Sequence, residues 1–370
     1  MKQAVQIAQP AQAAQPAQPA QPAQATQAAQ PAQLARPADW AHALVVRTQD
    51  ASPTVRSLWL RPDAGVLPWA LGSHLRVRLQ ISGREELRHY SLINPLLGLP
   101  ATLQGPALQG CYRIAVKRAD PGRGGSRQMW ALQPGDRLKI ARPDNHFVLP
   151  VAAPHTLLVA GGIGITPLVG MALALAARAA PLRMLYAARS ADELVFGDVL
   201  RAALGDRLQT FADAEGQRID LAAEIAALPP RAQLLICGPV PLLQAAQAAW
   251  AQAGRAAADL RFETFGSSGH RAPEPLWERM PRHNVQFTVP AERSLLDMLG
   301  EHGVQALHDC KRGECGLCAV DILQLEGEVD HRDVFFSADE KAHNRQLCAC
   351  VSRVCGGGIV LDSAYRPDEL

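Results

Sequence analysis

Alternating hydrophobic and polar positions predict β-strands in the first part of the chain. In the run 74–81, Leu75, Val77 and Leu79 share one face with Ile81, and a period of two residues is typical of a half-buried strand. Similar runs, broken by Pro and Gly, predict further strands over residues 43–49, 54–61, 112–117 and 137–140. Short strands with frequent turns favour an antiparallel β-barrel over residues 38–150.

Continuous apolar runs replace this alternation after residue 150. Residues 156–160 form such a run, which is typical of a strand covered on both faces. Similar runs at 182–188, 233–237 and 260–265 are separated by segments of helical character. Strands that alternate with helices predict a parallel α/β sheet over residues 151–268.

A third folded segment is predicted at the C-terminus. Residues 269–284, rich in Pro and charge, are interpreted as a linker. The domain 285–370 then begins with a strand at 285–289 and a helix at 294–302, and it ends with a strand at 359–362. Ser337 and Glu340 have capping-box spacing, which predicts the start of another helix.

Composition limits the classes of function. Residues 1–37 consist almost wholly of Ala, Gln and Pro, which predicts a disordered or polyproline-like tail because too little apolar surface offsets the ordering entropy. The net charge of +2 points to neither nucleic acid nor a membrane surface as a partner. No apolar run is long enough to span a bilayer and no convincing signal peptide is present, so we expect a soluble, cytoplasmic protein. We also expect the protein to be monomeric.

The strongest chemical signal is the motif Cys310-Lys-Arg-Gly-Glu-Cys315-Gly-Leu-Cys318. Its C-x4-C-x2-C spacing is the one by which plant-type ferredoxins present thiolates to a [2Fe–2S] cluster. Gly313 and Gly316 suit a loop that folds tightly around an inorganic core. The alternatives are a zinc site or unrelated buried cysteines, although zinc ligands more often come as two separated C-x2-C pairs.

Two glycine turns predict a dinucleotide site. The segment 161–167 connects a buried strand to a helix, where free N–H groups and the helix dipole favour a phosphate. It is not a G-x-G-x-x-G motif, because Pro167 stands where the third glycine should be. Cys237-Gly238-Pro239 follows a second strand, and ligands of open α/β sheets bind at such strand ends. A glycine turn that binds nothing is the alternative reading.

Two segments of the predicted barrel favour a ring and a phosphate. Arg88-His-Tyr90-Ser91-Leu92 combines a guanidinium, an aromatic ring and a hydroxyl on an extended segment. Gly122-Arg-Gly-Gly-Ser126 offers backbone donors and a hydroxyl, which suit an anion. The alternatives are an ordinary barrel strand and a hairpin end.

Four of these motifs follow one another along the chain as Arg88-x-Tyr90-Ser91-Leu92, the segment 161–167, Cys237-Gly238-Pro239 and the C-terminal cysteine motif. In this order they resemble the motifs of the phthalate dioxygenase reductase family, which includes the vanillate O-demethylase reductase subunits. The likeness runs from about residue 40 to the C-terminus and includes the strings 114–117 and 329–333. It implies an FMN-binding β-barrel, an NADH-binding α/β domain of ferredoxin-reductase type, and an α+β ferredoxin domain with a β-grasp fold.

The resemblance also implies roles for individual residues. Thr166 and Phe265 are expected at the reacting ring, and a carboxylate at Asp192 would favour NADH over NADPH. FMN is expected to contact Arg88, Tyr90, Ser91, Val116, Lys117, Gly124, Gly125, Ser126, Thr166, Glu263 and Phe265. NADH is expected to contact Gly161, Gly162, Gly164, Arg189, Ser190, Cys237, Gly238 and Pro239. The first three cluster ligands are expected to be Cys310, Cys315 and Cys318.

The fourth cluster ligand is Cys348, Cys350 or Cys355. The spacing from Cys318 favours Cys348, whereas Cys350-Val-Ser-Arg353 resembles the corresponding string of the family. We choose Cys350 and place the two extra residues in a surface turn at 323–327, because lengthening a loop costs little free energy.

The function expected from the resemblance is electron transfer from NADH through FMN and a [2Fe–2S] cluster to a separate oxygenase. That partner is expected to be a Rieske-type, non-haem iron enzyme that acts on an aromatic or similar small molecule. One alternative is a reductase for another acceptor, such as a haem monooxygenase. The other is a redox-sensing or zinc-binding interaction protein.

Overall fold

A computed structural model describes residues 40–363, except for 82, 94–107, 120–123, 151–152, 266–270 and 272. The predicted tail 1–37 lies outside the described residues, and so do Gly122 and Arg123 of the predicted phosphate loop. No helix in the described part of the chain is long and apolar enough to cross a membrane.

The first domain is an antiparallel sheet whose edges meet. Its elements are β1 (Ala41–Ser52), β2 (Val55–Pro62), β3 (Ser73–Ile81), β4 (Arg84–Ser91), β5 (Tyr112–Lys117), α1 (Gly125–Ala131), β6 (Arg137–Ile140) and β7 (Asp144–Asn145). The strand order is β4-β3-β6-β1-β2-β5, with β7 beside β3. Just beyond β4, the N–H of Ile93 donates to the carbonyl of Arg113 on β5 at 2.9 Å. This contact closes the sheet, and the predicted β-barrel is confirmed.

The second domain is a five-stranded parallel sheet with helices. It contains β8 (Thr156–Gly161), α2 (Ile165–Ala177), β9 (Leu182–Ala188), α3 (Gly197–Leu204), β10 (Leu208–Ala212), α4 (Leu221–Ala226), β11 (Gln233–Cys237), α5 (Val240–Gln252) and β12 (Leu260–Glu263). The strand order is β10-β9-β8-β11-β12, so the chain builds the sheet outward from β8, first to one side and then to the other. All six residues of β8 are buried. The predicted parallel α/β sheet is confirmed, and its switch point lies between the two glycine turns.

The third domain has a mixed sheet and two short helices. It comprises β13 (Leu276–Met280), β14 (Val285–Val289), α6 (Leu295–Glu301), β15 (Ala319–Asp330), α7 (Ala338–His343), β16 (Gln346–Cys348) and β17 (Arg353–Ser363). The order is β14-β13-β17-β15-β16, and only β13 and β17 run parallel. Ser337 and Glu340 form the predicted capping box at the start of α7. The arrangement is the expected α+β domain.

The predicted linker 269–284 is wrong in its second half. Leu276–Met280 forms β13, which lies between β14 and β17 in the third sheet. The domain boundary at 285 is therefore too late by at least one strand. The alternation was hidden because a glutamate, Glu278, occupies the inward position between Leu276 and Met280. A charged residue at an inward position weakens the period-two signal on which the prediction depends.

The surface turn predicted at 323–327 is also wrong, because these residues belong to the long strand β15. The pairing of β15 with β17 shifts between Ile322 and Gln324, so that Leu323 has no opposite residue in the register. Its side chain is 56% exposed. A bulge of this kind accommodates an extra residue without ending the strand.

Glu278 is an ionisable group in the interior of the third domain. Its side chain is fully buried, and neither carboxyl oxygen has a hydrogen-bond partner among the described residues. Burial raises the pKa of Glu278 well above its usual value of 4.5, because an apolar surrounding disfavours the charged form. The folded protein therefore retains a proton that the unfolded chain releases above that value.

We predict that this proton makes stability dependent on pH. A raised folded-state pKa contributes stability that is complete below the unfolded value and is lost as pH rises towards the folded value. Between these two pKa values, the free energy of unfolding of the wild type should fall by up to about 1.4 kcal/mol per pH unit relative to that of Glu278→Gln, because glutamine does not titrate. Thermal midpoints measured from pH 4.5 to 8 test this, with the exposed Glu326→Gln as the control. Parallel profiles for the wild type and Glu278→Gln would contradict it.

Candidate functional site

The cysteine loop lies between α6 and β15, and two glycines allow its shape. Gly313 and Gly316 both have a φ of 74°, a conformation that other residues adopt with strain. A Cβ on Gly313 would lie 2.6 Å from the Val351 side chain, and one on Gly316 would lie 2.3 Å from the Phe335 ring. The loop therefore packs tightly against the segments before α7 and after β16.

Backbone donors of this loop point at the sulfur of Cys310. The N–H groups of Arg312, Glu314 and Cys315 each donate to Cys310 Sγ at 3.4 Å. A hydrogen bond from the Cys315 thiol, together with these donors, lowers the pKa of Cys310 to about 5. Donors that converge on a sulfur favour its thiolate form, which is the form that binds metal. The loop thus fits a cluster that thiolates hold.

The cysteines at the end of β16 and just beyond it complete the set of thiols. Hydrogen bonds from the Cys348 and Cys350 thiols lower the pKa of Cys318. Among the described residues, no group of three or more His, Cys, Asp or Glu side chains that could hold a metal ion was found. A [2Fe–2S] cluster distributes its four ligands over two irons. Its sulfurs therefore do not have to converge around a single ion.

The three candidates for the fourth ligand have different surroundings. Cys350 receives a hydrogen bond from the Gly313 N–H and lies within electrostatic reach of both Cys310 and Cys318. Cys348 is fully buried at the end of β16, where Cys318 and Asp333 act on it.

Cys355 lies on β17, and the acidic groups that act on its thiol are Asp330 and Glu274. Cys348 and Cys350 both act on Cys318, and the surroundings of Cys350 also include Cys310 and the Gly313 N–H, which supports the choice of Cys350 as the fourth ligand.

On the barrel, Arg88 lies over the start of α1. A Cβ on Gly125 would lie 2.7 Å from Arg88 Nε, so glycine at this position lets the guanidinium approach the first helical turn. Gly124 adopts a φ of 84° before the helix, and no side chain caps the N-terminus. Ser126 accepts a hydrogen bond from the Ala119 N–H at 3.1 Å. Uncapped N–H groups beside a guanidinium fit the phosphate of FMN.

The other barrel residues assigned to the flavin lie on β4 and β5. Val116 is buried, and burial raises the pKa of Tyr90. Lys117 Nζ lies 3.3 Å from Glu193 Oε2, and Thr54 donates to the same oxygen at 2.5 Å. Because Glu193 belongs to the second domain, this contact joins the barrel to the parallel sheet.

The two predicted glycine turns pack directly against each other. A Cβ on Gly164 would lie 2.1 Å from the Cys237 carbonyl oxygen, and one on Gly238 would lie 3.0 Å from the Gly161 backbone. These glycines therefore allow two adjacent strand ends to approach closely, whether or not a ligand is bound. Burial raises the pKa of Cys237 well above its usual range, so its thiol is neutral.

The remaining nucleotide residues lie beside these turns. Gly161 is the register partner of Ala187 on β9, and Arg189 and Ser190 follow at the same edge of the sheet. Ser190 donates to Asp192 Oδ1 at 2.5 Å. Thr166 is buried in the first turn of α2, and its hydroxyl donates to the Ile163 carbonyl at 3.0 Å.

The cysteine loop meets both other domains through buried charges. Arg312 Nη1 donates to Glu263 Oε1 at 2.9 Å, and Ser91 donates to the other oxygen of Glu263 at 3.2 Å. Arg312 Nη2 lies 3.3 Å from Glu314 Oε2. The N–H and hydroxyl of Thr264 both donate to Glu314 Oε1, at 2.6 and 2.8 Å. We call these five residues the junction network.

Burial dominates the electrostatics of the junction network. It raises the pKa of Glu314 to about 7 and also raises that of Glu263, whereas Arg312 lowers both. Nε and Nη2 of Arg312 are buried and have no hydrogen-bond acceptor in the described part of the chain. Phe265 follows the network directly, and its side chain is 39% exposed.

The sequence analysis did not identify Arg312, Glu314 or Thr264 as site residues. It placed Ser91 and Glu263 at the flavin but did not predict that they would contact each other. The available signal was the occurrence of opposite charges at Arg312 and Glu314 inside a loop that must fold around a cluster. Buried charges need partners, but the sequence did not show which domain supplies them.

Comparisons with known proteins agree with this arrangement. The family model of the 2Fe-2S iron–sulfur cluster binding domain matches residues 280–355. The beta subunit of a heme-dependent oxidative N-demethylase from Ectopseudomonas mendocina (strain ymp) is 34% identical over 320 residues, covering 86% of this chain and 97% of that protein. The reductase subunit of phthalate 4,5-dioxygenase from Pseudomonas putida is 31% identical over 330 residues, covering 86% and 95%.

A solved structure covers almost the same part of the chain. It is phthalate dioxygenase reductase, described as a modular structure for electron transfer from pyridine nucleotides to [2Fe–2S]. The TM-score is 0.68 at 28% identity, and the match covers 88% of this chain and 98% of that one.

A closed barrel, a parallel α/β sheet and a [2Fe–2S]-binding domain in this order define a modular iron–sulfur oxidoreductase. The chain belongs to the phthalate dioxygenase reductase family, as the sequence motifs indicated. The predicted [2Fe–2S] domain is confirmed, and the relatives named above include reductase subunits of oxygenase systems.

We predict that Cys350→Ser abolishes or strongly alters the EPR signal of the reduced cluster, because Cys350 is expected to be the fourth iron ligand and both Cys310 and Cys318 act on its thiol. Cys348→Ser and Cys355→Ser are the matched controls and should retain the signal. Iron content and EPR spectra of the three variants decide the assignment. Loss of the signal in Cys348→Ser with an unchanged spectrum in Cys350→Ser would reverse it.

Proposed function

We propose that the chain is the NADH-dependent reductase component of a two-component oxygenase, with FMN and a [2Fe–2S] cluster as its cofactors. The flavin would be required because a hydride carries two electrons whereas the cluster accepts one. Within the proposal, the chain itself binds these groups, holds them close together and excludes water between them.

The observation that carries the proposal is the junction network. Ser91 of the barrel, Glu263 of the parallel sheet and Arg312 of the cysteine loop form one buried series of contacts. The segments proposed to hold the flavin and the cluster therefore lie against each other. This proximity is what electron transfer within one molecule requires.

The proposed residues divide among the three groups. Arg88, Gly124, Gly125 and Ser126 hold the flavin phosphate, while Tyr90, Ser91, Val116, Lys117, Thr166, Glu263 and Phe265 surround the ring. The two glycine turns, with Arg189 and Ser190, hold the nucleotide. The Asp192 carboxylate beside Ser190 disfavours a 2′-phosphate and supports NADH over NADPH. Cys310, Cys315, Cys318 and Cys350 hold the cluster.

The proposed acceptor is an oxygenase of the Rieske, non-haem iron type that acts on an aromatic or similar small molecule. The relative from Pseudomonas putida is by name the reductase subunit of a phthalate 4,5-dioxygenase, and phthalate is an aromatic compound. We further infer a monomeric, cytoplasmic protein.

A haem-containing acceptor is the second candidate. The relative from Ectopseudomonas mendocina is a subunit of a heme-dependent N-demethylase, and it is the more similar of the two relatives. The two candidates are discriminated by mixing the reduced protein with a purified Rieske oxygenase and, separately, with a purified haem-dependent monooxygenase. The acceptor whose absorption spectrum changes is the one that receives electrons.

We predict that Cys315→Ser separates the two half-reactions. Loss of a ligand should remove or destabilise the cluster and abolish reduction of cytochrome c or of an oxygenase. NADH–ferricyanide activity should largely remain, because a reduced flavin can react with ferricyanide directly. The simultaneous loss of both activities in a folded, flavin-replete variant would refute the modular electron path.

We also predict that acid treatment of the purified protein releases FMN, because the Gly124–Ser126 segment offers a site for a terminal phosphate. Chromatography of the released flavin is the measurement. Recovery of FAD would overturn the role given to this segment. A colourless protein that contains zinc would instead support the alternative of a zinc-binding interaction protein.

A further inference from the structure

Arg312 lies between two cluster-binding cysteines, yet its side chain extends into another domain. The side chain is 7% exposed, and that of its partner Glu263 is 1% exposed. The backbone N–H of Arg312 donates to Cys310 Sγ at 3.4 Å, while its guanidinium contacts Glu263 at 2.9 Å. One residue therefore links a proposed iron ligand to the end of β12.

The far side of Glu263 faces the barrel. Its second oxygen accepts from Ser91, which ends β4 and is proposed to contact the flavin. The series from Cys310 through Arg312 and Glu263 to Ser91 thus crosses all three domains. It connects the site proposed for the cluster with the site proposed for the flavin.

A second contact holds the same loop on the barrel side. Asp309 directly precedes Cys310, and its Oδ2 lies 3.9 Å from His146 Nδ1. Asp144 also acts on this imidazole, and a hydrogen bond between them raises the pKa of His146. The cysteine loop is therefore bonded to the parallel sheet through Arg312 and also lies beside the barrel at His146.

The Arg312–Glu263 contact restricts how the cysteine loop lies against the other domains. The Arg312 guanidinium has Glu314 of its own loop as one partner, and its hydrogen bond to Glu263 adds a buried contact that separation of the domains would break. Contacts between domains of one chain more often permit relative motion. The guanidinium donates a hydrogen bond to Glu263 through Nη1 and forms an ion pair with Glu314 through Nη2, and these two contacts together restrict the orientation of its loop.

We propose that Arg312, acting through Glu263, is a positioning residue that holds the cysteine loop at the distance and orientation needed for electron transfer from the flavin. With both groups bound, Arg312 would hold the loop in place while the flavin, reduced by NADH, supplied one electron to the cluster, so that one ferric iron would become ferrous. The inference rests on the proposed function. Arg312 is not proposed as an iron ligand or a flavin ligand.

Arg312→Gln tests the proposal. After rapid mixing with NADH, the flavin should be reduced at the wild-type rate, but cluster reduction should slow by about 10- to 100-fold, because ångström-scale misplacement can cost that much. The cluster EPR signal, iron content and NADH–ferricyanide activity should be retained. Amide exchange should increase at Thr264, whose N–H donates to Glu314 within the same network.

Arg332→Gln is the matched control. Arg332 is equally buried, with a side chain that is 9% exposed, but it pairs with Asp330 inside the third domain. The control should therefore leave the flavin-to-cluster rate unchanged. Arg312→Lys keeps the charge but loses the planar fork, and it should give an intermediate rate. This variant decides the question if Arg312→Gln does not assemble.

The outcomes separate the inference from the proposed function. A wild-type protein without flavin or cluster would refute the proposed function. A wild-type protein that reduces its cluster, with equal rates in both Arg312 variants, would refute only the positioning role. Loss of the cluster from both Arg312 variants would also overturn it, because Arg312 would then support cluster binding instead.

Discussion

The burial of one cation, the Arg312 guanidinium, is the constraint on which the assembly of the three domains depends. A buried charge is tolerated only with partners of opposite charge. Glu314 comes from the same loop, but Glu263 comes from the end of β12 and also contacts the barrel through Ser91. The electrostatics of one side chain therefore couple the three folded segments, and the cysteine loop has a defined position relative to the other two.

The close approach of backbones is the second constraint. At Gly164 any side chain would collide with the Cys237 backbone, at Gly238 a side chain would press on Gly161, and Gly316 lies against the Phe335 ring. In each case glycine permits the contact by lacking a Cβ. The same glycines that suggested ligand sites thus also have a packing role. The absence of a side chain is therefore explained by packing alone, and it is not by itself evidence for the ligand-binding role proposed for these glycines.

Opposite charges also join the barrel to the parallel sheet. Glu193 of the second domain forms an ion pair with Lys117 of the first domain and accepts a hydrogen bond from the Thr54 hydroxyl. The Glu193 side chain is almost completely buried. Together with the junction network, this contact brings the barrel face that carries β4 and β5 towards the strand ends of the parallel sheet. The proposed flavin site thereby lies between the proposed nucleotide turns and the proposed cluster loop.

The sequence by itself determined what local patterns encode: most strands of the barrel and four of the five strands of the parallel sheet, the capping box at Ser337, and the cysteine motif. These features depend on periodicity, turn chemistry and spacing within short segments. The sequence analysis did not predict β10, it misplaced β13 because Glu278 occupies an inward position, and it placed two extra residues in a turn at 323–327 where β15 continues through a bulge at Leu323. Only the tertiary structure decided that Arg312 meets Glu263 and that Glu314 meets Thr264. Such contacts join residues far apart in the chain, and their partners are determined by how the domains pack.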